Sequence, residues 1–201
     1  MRTVPSCAAI CSLSFAAIAA ADVYVFDNAI TYGAFCNDAG VVRQSQDLTQ
    51  LASGSYQSLT GGAGEFAWNL AAPSGVYLDS LGTARTQVNS EKLSLTFAST
   101  NVFAVGGFFF NVNSSGGTQS GVMRIKLSDG TSFIRTVSNN TTFSGFVSDV
   151  ANITSVEVSH AGSLGSQYFV ATNGFNIGIV PAPGAAALVG LAGLMARRRR
   201  A

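Results

Sequence analysis

With 201 residues, the chain has room for one domain plus terminal targeting segments. Charged residues make up 10% and mean hydropathy is +0.33, against about 25% charged in an ordinary soluble domain. The net charge of +1 hides a split: residues 22–180 hold six basic and ten acidic side chains, a balance of −4. Without a basic stripe to displace counterions from phosphates, nucleic-acid binding is excluded.

The chain opens with an export pattern. Arg2 gives a positive start, an apolar run follows from Cys7 to Ala20, and Ala19 and Ala21 satisfy the small-x-small rule. This predicts a signal peptide over 1–21, cleaved before Asp22. Ala8-Ala9-Ile10 ahead of Cys11 is not a lipobox. Removal of the signal leaves Cys36 as the one cysteine, too few for an internal disulfide or a thiolate metal site. It is expected to act as a small buried apolar residue.

From residue 22 onward the pattern has period two, the signature of strands. Val23–Phe26 is a first strand. Residues 44–52 are expected to form one helical turn and residues 50–64, small and polar, a loop. Phe66–Leu70, Val76–Leu78 and Ala84–Val88 read as short strands. Lys92–Ser99 alternates cleanly. Val102–Val112 is apolar enough for a central strand buried on both faces, with Gly106-Gly107 marking a bulge or bend. Val122–Leu127 turns Arg124 and Lys126 outward. Ser128-Asp129-Gly130 then predicts a type I′ hairpin leading into Thr131–Val137. Phe143–Val147, Ile153–Ser159, Gln167–Ala171 and Phe175–Ile179 complete the set. Beyond the one helical turn over 44–52, no segment between the terminal segments shows a 3.6 period of helical length. About ten strands with Gly/Ser/Asn turns predict an all-β fold, a single β-sandwich or jelly roll over residues 22–179.

Chemistry in this body is sparse. His160 is the sole histidine, no G-x-S-x-G elbow accompanies it, and it is expected to end a strand rather than act as a base. Glu65, Glu91 and Glu157 are scattered, unlike the facing carboxylates of a glycosidase. Asp22, Asp27 and Asn28, with Asn173 and Asn176, would make an oxygen-rich calcium site if the first and last strands paired. Otherwise no cofactor or metal is expected. Trp68, the sole tryptophan, is either a ligand contact that stacks on sugars or a core residue.

The C-terminus has three parts in order. Val180-Pro181-Ala182-Pro183 is a stiff break. Residues 184–196 are wholly apolar and small, and read as a helix. They are followed by Arg197, Arg198, Arg199 and Arg200, a block expected on the cytoplasmic side. At 1.5 Å per residue such a helix spans about 20 Å, short of the roughly 30 Å bilayer core, which suits a transient handle better than a permanent anchor.

This tail, residues 180–201, resembles the PEP-CTERM sorting signal, also labelled the ice-binding protein C-terminal domain, with Ala182 where the usual motif has Glu. The resemblance implies export, membrane retention through the apolar segment, and cleavage near Pro181–Pro183 by an exosortase-type enzyme. It implies no chemistry for the body. The segment from Phe143 onward is similar in spacing to the closing strands of lectin-like jelly rolls. The leading expectation is therefore a non-enzymatic envelope or extracellular-matrix protein, membrane-associated during sorting. The alternative is an exopolysaccharide-binding module, calcium-dependent or not. A secreted hydrolase ranks third.

Overall fold

The computed structural model describes residues 22–149, 152–162 and 168–181. The expected signal peptide with Ala19 and Ala21, Ala182 and Pro183 of the expected sorting motif, the apolar segment 184–196 and Arg197–Arg200 lie outside them. Among the described residues, no helix is long and apolar enough to cross a membrane.

The apolar run Val102–Val112 forms β7, with the bounds its composition predicts, and it organises the rest. The other strands are β1 (Val23–Phe26), β2 (Val42–Gln46), β3 (Gly54–Gly61), β4 (Trp68–Leu78), β5 (Ala84–Thr86), β6 (Leu93–Phe97), β8 (Thr118–Gln119), β9 (Gly121–Leu127), β10 (Ser132–Val137), β11 (Phe143–Ser148), β12 (Ser155–His160) and β13 (Phe169–Ile179). They join one antiparallel path in the order β1-β11-β7-β13-β5-β4-β6-β12-β9-β10. Beside it, β2 pairs with β13, β3 with β4 and β8 with β7. The path curls on itself, so that strands near its two ends meet: Phe133 of β10 stacks on Phe146 of β11 with ring centroids 5.0 Å apart. The result is a sandwich whose interior holds Leu70, Leu95, Phe109, Ile125 and Phe146, each at most 1% exposed. None of the described phenylalanines is exposed, and each fully buried one contributes about 1.5–3 kcal/mol of transfer free energy.

Several elements correct the sequence expectations. A ten-residue helix, α1 (Ala29–Asp38), follows β1. The Asn28 side chain starts it, accepting Ile30 N–H at 2.7 Å. α1 lies on the outer side of β11 and β7, where Tyr32, Cys36, Val41, Ala104, Phe143 and Val147 form a second small cluster. This helix explains Gly106. A Cβ there would come within 2.6 Å of Phe143 and 3.0 Å of Tyr32, and one on its ladder partner Gly145 within 2.7 Å of Tyr32. The two glycines form a floor for the Tyr32 ring, and β7 pairs regularly with β11 across them. The irregularity expected at Gly106-Gly107 lies instead in the neighbouring strand, β13, between Thr172 and Phe175.

Residues expected as loop contain β3, an edge strand in which Leu59 is the buried residue. The helical turn expected over 44–52 narrows to a 3-10 turn, Leu48–Gln50. The two segments expected at 66–70 and 76–78 are one strand, β4. At Pro73, which has no N–H to give a ladder, β4 changes neighbours, from β6 at Trp68–Ala71 to β5 at Val76–Leu78. At the β9–β10 hairpin only Gly130 has positive φ (91°), and its N–H donates to Leu127 C=O at 3.0 Å. This geometry is a type I turn followed by a left-handed glycine, not type I′.

Candidate functional site

The irregularity in β13 creates the most developed site. Along one edge β13 pairs with β7 from Phe169 to Ile179, with a register break between Thr172 and Phe175. Along the other, Ala171–Thr172 pair with β5 and Phe175–Ile179 with β2. Asn173 and Gly174, between these stretches, belong to neither ladder. Gly174 has φ +149°, and a side chain there would press on Gln46 C=O at 3.2 Å. Opposite, a Cβ on Gly107 would lie 2.9 Å from Phe175 Cβ and 3.0 Å from Gly174 C=O. The absence of a side chain at both positions lets the backbone pass and leaves a groove of about 330 Å³ at the end of β2. That is at the small end of the roughly 300–1,000 Å³ of ligand pockets.

The lining is neutral amides and hydroxyls over phenyl rings. Phe108 and Phe175 supply the aromatic surface, and Phe108 is held edge-on against Phe143 at 5.6 Å. Ser45 donates its hydroxyl to Asn176 Oδ1 at 2.6 Å. The β10–β11 loop reaches over the groove because Asn139 organises it. Its Oδ1 accepts Thr141 N–H (3.0 Å) and Thr141 O–H (2.8 Å), which presents Asn140 and Thr141. Asn173 Nδ2 donates to Asn140 C=O at 3.4 Å. Asp47 completes the rim, its Oδ1 accepting Thr49 N–H at 2.9 Å. That backbone hydrogen bond holds the Asp47 carboxyl below its usual range.

Two of these side chains are incompletely satisfied. Gln46 is 8% exposed, and its Oε1 accepts the indole N–H of Trp68 at 2.9 Å. Because an indole nitrogen can only donate, the amide orientation is fixed: Oε1 faces Trp68, and Nε2, a donor of two hydrogens, has no partner. The same reasoning applies to Asn173. Its Nδ2 is spent on Asn140, which leaves Oδ1 as a buried acceptor without a partner. Each such group costs about 1–3 kcal/mol until something meets it. Thr86, Asn111 and Ser144 also bury unpaired polar atoms, at 0–1% exposure. Those of Gln46 and Asn173 belong to residues that line a surface groove.

The structure disperses the remaining sequence candidates. Trp68 is 6% exposed and meets Phe175 edge to face at 5.1 Å, while Gly61 sits where a Cβ would be 2.5 Å from the indole. No open face remains for stacking, and Trp68 reaches the first groove only through its neighbours Gln46 and Phe175. Its edge also borders a second groove of about 450 Å³ with Thr60, Asn69, Thr96 and Phe97. The calcium arrangement does not form, because β1 pairs with β11 rather than β13. Asn28 caps α1, and Asn173 and Asn176 line the groove. Among the described residues no group of three His, Cys, Asp or Glu side chains is placed to hold a metal.

His160 ends β12 with Nδ1 buried and unpaired, its ring 5.0 Å from that of Tyr168. The glutamates serve surface contacts: Glu157 with Lys92 at 2.6 Å, Glu91 with the Ser74 hydroxyl at 2.6 Å, and Glu65 with Asn101 at 3.3 Å. Cys36 is fully buried under α1, and burial pushes its thiol pKa up. Asp22, the expected mature start, donates its N–H to Asp149 Oδ1 at 3.0 Å. Val180 and Pro181, the two described residues of the sorting motif, follow the end of β13 directly.

Sequence reasoning missed Gln46, Ser45, Asp47, Asn140, Thr141 and Phe108. Two local signals were present: the run Asn139-Asn140-Thr141-Thr142, and Asn173-Gly174 breaking one apolar strand in two.

No family model and no curated protein matches the chain. Among solved structures, it is similar to a point mutant of the family 29 carbohydrate-binding module CBM29-2 complexed with cellulohexaose, at a TM-score of 0.32 and 10% identity, covering 68% of this chain and 91% of that one. A second point mutant of that module gives a TM-score of 0.32 and 11% identity over 68% of this chain and 92% of that one.

Proposed function

We propose that residues 22–179 form a non-enzymatic carbohydrate-binding module carried on an exported chain. The observation that carries this reading is the groove at the β13 irregularity. There Gln46 Nε2 and Asn173 Oδ1 are a fixed donor and a fixed acceptor, each buried and without a partner, on residues that line the groove together with Phe108. A sugar offers the complement: hydroxyls that donate and accept together, and C–H faces that pack on an aromatic ring. The test is a glycan array followed by calorimetry on the hits. Gln46→Leu and Asn173→Ala should each weaken binding by about tenfold, as expected when a buried hydrogen-bonding partner is lost. Absence of binding across neutral and charged glycans would return the module to the plainer role of an envelope or matrix protein without a sugar ligand.

Export and sorting are part of the same proposal. They are supported by the order of the tail: Pro-containing break, apolar segment, arginine block. Intact mass of the cell-associated protein should show loss of residues 1–21 and of the chain beyond about residue 183. A full-length C-terminus would mean that the tail stays as an anchor.

A further inference from the structure

The groove is uneven in charge. Asp47 stands on its rim as a carboxylate, and no Lys, Arg or His lines it. Arg43, four residues before Asp47 and on β2, is taken up by α1. Its Nη2 donates to Asn37 Oδ1 at 3.2 Å, and its guanidinium carbon lies 5.7 Å from the Tyr32 ring centroid. The other polar liners are neutral: Gln46, Asn140, Asn173 and Asn176, with the hydroxyls of Ser45 and Thr141. The surrounding domain carries six basic against ten acidic side chains. A carboxylate or sulfate ester entering here would exchange its hydration for neutral donors alone, and would do so beside a fixed negative charge.

We infer that the groove selects uncharged glycans over uronate- or sulfate-bearing ones, with Asp47 as the discriminating side chain. The inference rests on the carbohydrate-binding reading above and names the ligand class of the same site. A neutral hexose hydroxyl can donate to the exposed Asp47 carboxylate on the rim. A uronate carboxylate has no proton to give and is repelled by Asp47.

The test titrates the protein with a glucan oligosaccharide and with the glucuronan oligosaccharide of equal length, which differ only in oxidation at C6. Trp68, the sole tryptophan, is bonded to Gln46 and serves as the fluorescent probe, with calorimetry as the second readout. The neutral sugar should bind about fivefold more tightly at low salt, the upper range for one exposed charge contact. The ratio should shrink at high salt, where screening shortens the reach of Asp47, and also in Asp47→Asn. Asp47→Ser is the second variant, since a serine hydroxyl can still cap the Leu48–Gln50 turn without the charge. Equal affinities, or a ratio indifferent to salt and to both variants, would overturn the selectivity and leave sugar binding standing. No binding by either sugar or by a wider neutral panel would remove both.

Discussion

Two regions of the sandwich, the core around Phe146 and the groove floor around Gln46, are built from different material. Around Phe146 the interior is mainly apolar, with Phe133 across the core and Leu70, Leu95 and Ile125 among the fully buried residues, the buried Ser144 hydroxyl of the same strand being the exception. Around Gln46, itself buried under a surface groove, an amide, an indole N–H and an asparagine carbonyl are held with two polar atoms unpaired. A core selected for stability alone would replace such atoms with methylenes, since an unpaired buried group costs more than a hydrocarbon of the same shape gains. The difference teaches that the first region holds the fold and the second holds something the fold presents.

The comparison can be broken in order of expected size. Phe146→Ala should cost about 3–5 kcal/mol, the toll of a large cavity in a packed interior, read from denaturant unfolding. A loss under about 1 kcal/mol would mean the apolar region is not close-packed. Gly145→Ala drives a methyl toward the Tyr32 ring, 2.7 Å from its Cδ2. It should cost about 1–3 kcal/mol through overpacking, with α1 amide exchange rising first. Gln46→Leu removes the unpaired Nε2 but orphans the Trp68 N–H. These terms nearly cancel, so stability should move by less than about 1 kcal/mol while glycan binding falls. A large stability loss with binding intact would reverse the assignment of the two regions.

The smallest effect concerns acid. The Asp47 carboxyl is held below its usual range by the Thr49 N–H, so its contribution is present above the unfolded carboxyl value and is lost as pH falls through the lower, folded one. The Thr49 amide resonance should titrate in that acid window. In Asp47→Asn it should not.

Much of the sandwich was legible from period-two alternation because a strand with one buried face writes its burial locally. Leu93 and Leu95 are buried while Ser94 and Thr96 are not, and the bounds of β7 coincide with its apolar run. Helix α1 wrote no such record. Its buried residues are Tyr32, Gly33 and Cys36, and the feature that lets it dock, the floor made by Gly106 and Gly145, lies far along the chain. β3 failed for a related reason: as an edge strand with Leu59 alone buried, its stability comes from pairing with β4 rather than from its own composition. The groove was least legible. It gathers the end of β2, the β10–β11 loop and the break in β13, and an asparagine that meets a ligand is spelled like one that makes a turn. Asn173 and Asn176 stood out by sequence, but for a calcium site that the strand order does not assemble.

The strand that opens the groove also carries the chain out of the domain. β13 is hydrogen-bonded along both edges, to β7 on one side and to β2 on the other near Ile179, whereas β1, at the other end of the described chain, is a four-residue edge strand. Tension applied at Val180 therefore acts along a clamped strand and must slide two ladders together, while tension applied at Asp22 peels one short ladder a pair at a time.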